Sequence, residues 1–295
     1  VLIAVVTSMP ELVTGVSSVA LVGLPDLAMG DFFGSCLFNL TIIALMDILY
    51  RPGPVLTHAS SRHIASAMAG IVLISVAAGG ILAGGRLSGL AAGWVGVPSI
   101  LILIVYLVAV RQIFRFERGY QSTSPANALK YEGSSTKATW LKFSLAAAAV
   151  IGAGIWLAYI GGEIAETTAW STSFVGSLFL AISTSMPELV FAIAAVRLGA
   201  IDMAVADILG ANMLNMANIF TVDLFYIQGP VLSSVSSAHV ITAGLVVVMS
   251  LMVIAGLRFQ QRRKTFLIIS WYSVAFIGLY LFGTYALFVS GAGLR

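Results

Sequence analysis

The sequence Thr-Ser-Met-Pro-Glu-Leu occurs twice, at residues 7–12 and again at residues 184–189. Both copies lie in apolar sequence, within VVTSMPELVT and AISTSMPELV. A proline in a helix leaves the carbonyl four residues earlier without its helical partner, here those of Val6 and Ser183. In hydrocarbon, such a carbonyl and a nearby glutamate both need a partner from protein, water or an ion. The hexapeptide therefore predicts two polar breaks in otherwise apolar helices.

The composition is that of an integral membrane protein. Of the 295 residues, 59% are hydrophobic and 9% are charged, and the mean hydropathy is +1.02. About 20 apolar residues suffice for one span, and uncharged runs of that length recur along the chain. We expect an all-α fold with nine transmembrane segments. The single cysteine, Cys36, excludes an intrachain disulfide and a cysteine-rich metal site.

The similarity between the two parts of the chain extends beyond the hexapeptide. Glu11 matches Glu188 at an offset of 177 positions, and five further pairs match at an offset of 176. Those pairs are Asp31 with Asp207, Asp47 with Asp223, Tyr50 with Tyr226, Pro54 with Pro230, and His63 with His239. We therefore predict two homologous halves, residues 1–110 and 142–295, joined by a polar linker at residues 111–141.

The basic residues indicate an orientation in the membrane. If the linker is cytoplasmic and the spans alternate, 13 of the 15 basic residues lie inside, and only Arg86 and Arg295 lie outside. The thirteen are Arg51, Arg62, Arg111, Arg115, Arg118, Lys130, Lys137, Lys142, Arg197, Arg258, Arg262, Arg263 and Lys264. The two hexapeptides then lie on spans that run in opposite directions. The halves are inverted, as in many secondary transporters, and we expect a multi-pass cell-membrane protein with its C-terminus outside.

Each half carries a second acid 20 or 19 residues after its glutamate. These acids are Asp31 in GDFFGSCLFN and Asp207 in ADILGANMLN, and Gly34 and Gly210 would let neighbouring helices approach them closely. No lysine or arginine lies near the four acids in sequence, and an unpaired acid in a membrane is costly. Cations or protons remain as their partners. Oxygen ligands without imidazole or thiolate suit hard cations, and Ca²⁺ better than Mg²⁺.

At these residues the chain resembles the sodium/calcium exchanger superfamily of cation/calcium antiporters, whose two alpha repeats read approximately GTSxPE and GNxxGSN. The resemblance covers both halves and implies an inverted-repeat antiporter fold with ten spans and both termini outside. The second hexapeptide has a full span ahead of it and the first has none. We therefore expect the first half to be truncated at its N-terminus, with one further span in the full chain.

The resemblance also implies a set of cation ligands. Glu11 and Glu188 would be the central Ca²⁺ ligands, alternately occupied by Na⁺, and Asp31 and Asp207 would complete the site. Further oxygens for Na⁺ would come from the hydroxyls of Thr7, Ser8, Thr184 and Ser185 and from the carbonyls of Ala4 and Ala181. Expected partners are Ca²⁺, monovalent cations and the lipid bilayer, without nucleic acid.

Some positions depart from the family pattern. Val6 and Ser183 stand in place of glycine, Cys36 replaces an asparagine, and Asp31 stands where well-known members carry asparagine. The added acid leaves the counter-ion open. We expect exchange of Ca²⁺ for Na⁺, with Ca²⁺/H⁺ or K⁺-assisted exchange as the alternative and a cation channel or sensor as a less favoured one. The sequence carries no phosphate-binding loop, which disfavours ATP-driven pumping. A membrane hydrolase would need a nucleophile and base or a histidine-rich metal site, and the three histidines lie away from the acids, so we expect no enzyme activity and no resident cofactor.

The remaining paired polar residues lie near the ends of spans. We expect Asp47 and Asp223 to cap helices or to hydrogen-bond at the interface rather than to bind ions. We also expect His63 and His239 to lie at the membrane interface rather than in a proton relay.

Overall fold

The computed structural model describes residues 2–84, 91–118, 136–259, 263–266 and 268–292, and these are almost entirely helical. In chain order the helices are α1 (Leu2–Thr7), α2 (Met9–Ala20), α3 (Pro25–Leu49), α4 (His63–Ala83), α5 (Val97–Arg118), α6 (Thr136–Thr168), α7 (Thr172–Val175), α8 (Ala181–Thr184), α9 (Met186–Arg197), α10 (Ile201–Phe225), α11 (His239–Phe259) and α12 (Trp271–Ala292). The shorter elements are 3₁₀ helices at Val55–His58 and Val231–Ser233, a π-helical turn at Gly176–Leu180, and strands β1 (Ala91–Ala92) and β2 (Val95–Gly96). The helical class expected from the composition is confirmed, with one small antiparallel hairpin added.

The helix bounds repeat along the chain. Helices α3 and α10 each have 25 residues and begin 176 positions apart, and α4 and α11 each have 21 residues at the same offset. Helices α2 and α9 each have 12 residues, at an offset of 177. The duplicated sequence is therefore also a duplicated set of helices.

Seven helices of the described residues are long and apolar enough to cross a membrane, namely α3, α4, α5, α6, α10, α11 and α12. An eighth candidate is the pair formed by residues 172–184 and α9, which is bent by 44° at Ser185. This count falls short of the nine spans expected. The difference lies in α1 and α2, which cover only residues 2–20 and are interrupted at Ser8.

Two helices extend into the segment predicted to be a linker, residues 111–141. Helix α5 continues to Arg118 and α6 begins at Thr136. Ile113 continues the apolar side of α5 and packs against the core, which explains why the helix does not end at the first arginine. Residues 119–135 lie outside the described part of the chain. So do four of the basic residues used to assign the orientation, Arg86, Lys130, Arg262 and Arg295.

Helices α3 and α10 occupy the centre of the molecule. Their most apolar 18-residue windows are 72% and 67% buried, whereas those of α5, α6 and α12 are at most 17% buried. Polar side chains in a membrane-spanning helix face the interior of the bundle, and α10 has the lowest mean hydropathy of the seven candidate spans, 1.2. The outer helices instead expose large apolar side chains, such as Leu145 and Trp156 on α6. The two central helices are also the ones that carry Asp31 and Asp207.

Glycine allows α3 to approach the π-helical turn very closely. A Cβ atom on Gly34 would lie 2.5 Å from both Cα and O of Ser177. One turn earlier, the Ser177 hydroxyl donates a hydrogen bond to the carbonyl oxygen of Gly30 at 3.1 Å. The close approach expected at Gly34 is confirmed, and it brings Asp31 against the segment that ends in the second hexapeptide.

Asp47 and Asp223 each tie the end of a central helix to two other segments. Each carboxylate accepts a hydrogen bond from the N–H group eight residues later and another from the N–H group just before the start of another helix. The donors are Val55 and Ser270 for Asp47 and Val231 and Gly96 for Asp223, at 2.6–2.9 Å. The expected hydrogen-bonding role of these two acids is confirmed.

Candidate cation site

Both hexapeptides interrupt a helix at their serine. Ser8 (φ −89°, ψ 13°) separates α1 from α2, and Ser185 (φ −84°, ψ 9°) separates α8 from α9. Pro10 and Pro187 then fall in the first turn of the following helix, where a missing N–H group costs least. The glutamate of each hexapeptide lies in that same first turn. The N-terminal end of a helix favours a negative charge there.

The two interruptions face each other. The Ser8 hydroxyl donates to Oε1 of Glu188 at 3.0 Å, and the Ser185 hydroxyl donates to Oε1 of Glu11 at 3.2 Å. All four side chains are buried. Each glutamate is therefore held by a serine from the other half of the chain, and the two hexapeptides form one site.

Asp31 lies at the edge of this site with two hydroxyls and a carbonyl. Its Oδ1 accepts a hydrogen bond from Oγ1 of Thr184 at 2.8 Å and a longer one from Oγ of Ser35 at 3.5 Å. Both hydroxyls also lie 3.4–3.5 Å from the carbonyl oxygen of Ala181. Our reading of the sequence did not include Ser35, although its position one helical turn after Asp31 is the signal that marks it.

The other half does not repeat this arrangement. Asp207 is buried, and neither of its carboxylate oxygens has a hydrogen-bond partner. The Thr7 hydroxyl, the counterpart of Thr184, donates to the carbonyl oxygen of Ala4 at 3.3 Å and also interacts with Glu188. The site is therefore asymmetric at Asp207.

The four acids lie within electrostatic range of one another. Glu11 interacts with Glu188 and Asp31, and Asp207 interacts with Glu188. Within the described part of the chain, none of the four forms an ion pair with a basic side chain. Five of their oxygens are buried without a partner, namely Glu11 Oε2, Asp31 Oδ2, Glu188 Oε2 and both oxygens of Asp207. Buried carboxylates of this kind require a neutralising cation or proton.

The four acids of the site do not by themselves form a metal-binding cluster in the described part of the chain. Among the described residues, no group of three or more His, Cys, Asp or Glu side chains is placed to hold one metal ion. A divalent cation bound in this arrangement would therefore take most of its ligands from hydroxyl and carbonyl oxygens. Ca²⁺ accepts six to eight oxygens in flexible geometry, so such a mixed set suits its chemistry.

A second reciprocal contact joins α3 and α10 beside the site. The Asn212 side chain donates to the carbonyl of Cys36 at 3.2 Å, and the Cys36 thiol donates to the carbonyl of Asn212 at 3.6 Å. Asn39 donates to Oδ1 of Asn212 at 3.1 Å. Cys36 and Asn212 are themselves related by the offset of 176. Cys36 therefore takes part in the crossing of the two central helices, and Asn212 is a residue that our sequence analysis did not single out.

Comparison with known proteins shows the family. The family described as sodium/calcium exchanger protein matches residues 1–111 and 138–291, which is most of the chain and includes both hexapeptides. The chain belongs to this exchanger family. The resemblance found in the alpha repeats is thereby confirmed. Exchanger-family membership, together with the apolar helices, makes the chain a multi-pass membrane protein.

One curated relative of this exchanger-family chain is the inner membrane protein YrbG of Escherichia coli (strain K12). The two are 30% identical over 215 residues, which are 72% of this chain and 64% of YrbG. The chain therefore spans a little less than two thirds of that relative.

Two solved structures share the fold. Comparison of this chain with the sodium-calcium exchanger NCX_Mj gives a TM-score of 0.59 at 19% identity, and the match covers 100% of this chain and 86% of that chain. YfkE has a TM-score of 0.65 at 19% identity, with 98% and 83% covered. At this level of identity the likeness establishes the shared helical fold.

Proposed function

We propose that this exchanger-family protein is a secondary active antiporter that exchanges Ca²⁺ for Na⁺ across a cell membrane by alternating access. The main support is the pair of bonds between the halves, Ser8 to Glu188 and Ser185 to Glu11. They bring two buried glutamates to one place, and each glutamate keeps one oxygen without a partner. Because that charge is costly without a cation, each glutamate would bind one substrate or the other in turn. Competition for the same oxygens would couple the two fluxes.

The proposed ligand set is that of the alpha repeats. Glu11 and Glu188 would bind Ca²⁺ or Na⁺ at the centre, with Asp31 and Asp207 beside them. Hydroxyl and carbonyl ligands would come from Thr7, Ser8, Thr184, Ser185, Ala4 and Ala181. The supporting facts are the burial of the four acids, the hydroxyls that donate to three of them, and the carbonyl of Ala181 in contact with one of those hydroxyls.

We further propose that the halves are inverted and that α1 with α2 forms a ninth span. Two contacts between the halves support this: Asp26 at the start of α3 contacts His239 of α11, and Asp202 at the start of α10 contacts His63 of α4. Since α11 follows α10 and α4 follows α3, each central helix begins where the other ends. The distribution of basic residues then favours a cytoplasmic linker and an outside C-terminus.

Exchange of Ca²⁺ for H⁺ is the second candidate, and the surroundings of Asp31 favour it. One oxygen of Asp31 accepts hydrogen bonds from hydroxyls, while the other is buried without a partner. A proton on that oxygen would neutralise the acid without any further ligand. Uptake measured under a K⁺ gradient distinguishes K⁺-assisted exchange from exchange for Na⁺ or H⁺.

The test is Ca²⁺ uptake into proteoliposomes under separate Na⁺, K⁺ and H⁺ gradients. We expect the Na⁺ gradient to drive uptake, and we expect Glu11→Gln and Glu188→Gln to reduce it to background because each removes a central charge. Glu166→Gln on the exposed side of α6 is the matched control and should transport normally.

Two results would contradict the assignment. Uptake that ignores Na⁺ and follows the pH gradient would replace Na⁺ with H⁺ as the counter-ion. Ca²⁺ binding or downhill Ca²⁺ flux without any countertransport would indicate a sensor or a channel.

A further inference from the structure

A partly buried acid–histidine pair lies where α3 begins. Nε2 of His239, the first residue of α11, is 2.9 Å from Oδ1 of Asp26 in the first turn of α3. The same carboxylate oxygen accepts hydrogen bonds from the N–H group of Ser236 at 2.7 Å and from the Ser173 hydroxyl at 3.2 Å. The His239 side chain is fully buried. This cluster fixes the start of α3 to the start of α11.

The same arrangement occurs where α10 begins. Nε2 of His63, the first residue of α4, is 2.8 Å from Oδ1 of Asp202, and the N–H group of Ser60 donates to that oxygen at 2.6 Å. The residues correspond one by one at an offset of 176: Asp26 with Asp202, Ser60 with Ser236, and His63 with His239. The second pair is more exposed, since the Asp202 side chain is 59% accessible.

The two pairs are crossed between the halves. Each histidine contacts the aspartate of the other half, and neither contacts the aspartate of its own half within the described part of the chain. Since α4 follows the end of α3 and α11 follows the end of α10, the pairs lie at opposite ends of the two central helices. We define them as the crossed pairs, Asp26–His239 and Asp202–His63.

Each crossed pair lies close to an acid of the cation site. Asp31 follows Asp26 by five residues and Asp207 follows Asp202 by five residues, a distance of about 7.5 Å along a helix. The His239 ring also stacks on Phe33 of α3, with ring centroids 5.8 Å apart. A helix is stiff over this length, so a shift or rotation at its first turn displaces the site acid.

We propose that His63 and His239 are positioning residues for the cation site, and that through Asp202 and Asp26 they set the placement of Asp207 and Asp31 relative to the two glutamates. This inference rests on the proposed antiport function. In this role both histidines act through their hydrogen bonds to the aspartates, and not through lipid contact or proton transfer. Both histidines are the first residues of their helices, and their location at the membrane interface stays a prediction.

The experiment is a set of double-mutant cycles on Ca²⁺ transport, with KM and maximal rate measured separately. We expect Asp26→Ala and His239→Leu each to raise KM about tenfold, as for loss of a hydrogen bond to a charged group. The double variant should be no worse than either single one, because both remove the same contact. Asp202→Ala and His63→Leu should behave in the same way.

The matched control uses pairs from the same half. Asp26→Ala combined with His63→Leu, and Asp202→Ala combined with His239→Leu, break two separate contacts. Their effects on KM should therefore multiply to about a hundredfold. His239→Gln retains an N–H donor near the position of Nε2 and should stay within about threefold of the wild type. His239→Asn is too short to reach Asp26 and replaces His239→Leu if the latter does not fold.

Three results would contradict the inference. Multiplying effects in the crossed pairs would show that they are not coupled. An unchanged KM with a lower melting temperature would show a purely structural role. Equal loss with His239→Gln and His239→Leu would exclude the hydrogen bond as the cause. Wild-type protein without Ca²⁺ flux under any gradient would contradict the proposed function itself, whereas the other outcomes require a transporting wild type.

Discussion

At the scale of single residues, each half of the chain supplies a serine hydroxyl that donates a hydrogen bond to the glutamate of the other half. Ser8 supports Glu188 and Ser185 supports Glu11. A hydrogen bond to a buried carboxylate partly compensates for the water it has lost. The serines therefore stabilise the cation-free protein.

We expect Ser8→Ala and Ser185→Ala each to lower the stability of the cation-free protein by about 1.5–3 kcal/mol, the value of a hydrogen bond to a charged group. Ser8 and Ser185 are also proposed cation ligands, so the rise in melting temperature on adding Ca²⁺ should be smaller in both variants. Thermal unfolding in detergent with and without Ca²⁺ measures this. Ser183→Ala is the control, because the exposed Ser183 hydroxyl donates only to the carbonyl of Phe179. An equal loss with and without Ca²⁺ would contradict the prediction.

Sequence identified the acids and hydroxyls of the candidate site but not their contacts. The acids were found because a charge in an apolar span is conspicuous and because each recurs at a fixed offset. Which serine serves which glutamate depends on how the halves pack, and no local pattern contains that information. Asp26 and Asp202 were missed although they share the offset of 176, because an acid next to a loop looks like an ordinary helix start.

The decisive feature at the scale of helices is the contact between α3 and the π-helical turn. Gly34 leaves room for the backbone of Ser177, so that Thr184 can reach Asp31. A side chain at this position would push the two segments apart.

We expect Gly34→Ala to destabilise the protein by about 1–3 kcal/mol, as overpacking does, because its Cβ would lie 2.5 Å from backbone atoms of Ser177. The matched control is Gly70→Ala in α4, where a Cβ meets nothing within 4 Å. That change should be neutral or stabilise by about 0.5–1 kcal/mol, because alanine is the better helix former. The melting temperatures of the two purified variants, compared with that of the wild type, test this prediction. A Gly34→Ala variant as stable as Gly70→Ala would show that the contact is looser than the structure indicates.

Sequence predicted most helices but fewer of their ends. The central helices were recoverable because their apolar runs are long and repeat at 176. The predicted linker at residues 111–141 includes the last turns of α5, which continues past Arg111 and Arg115. The long side chains of such residues extend along a helix toward water. The hairpin at residues 91–96 was missed because two-residue strands leave no alternating pattern.

At the scale of the whole molecule, the prediction that matters is the opposed direction of the two halves. Ser61 and Ser237 are equivalent at an offset of 176, and both are exposed next to the start of a helix. Inverted halves would place these equivalent positions on opposite sides of the membrane.

We expect Ser61→Cys to be labelled from the cytoplasmic side and Ser237→Cys from outside by a membrane-impermeant thiol reagent. The background carries Cys36→Ser, which removes the single native thiol. Labelling of intact cells before and after permeabilisation measures the sidedness of each position. Labelling of both from the same side would contradict inverted halves, and exchanged sides would reverse the orientation assigned from the basic residues.

The crossed serine–glutamate bonds have a consequence for how such a chain arose. Neither repeat alone contains a complete set of partners for its own acid, since each borrows the hydroxyl from its counterpart. A primordial protein of half this length would therefore need two copies to complete each serine–glutamate pair, and if the halves are inverted those copies would be inserted in opposite directions. Fusion of the two copies would keep both partners of each pair in one polypeptide.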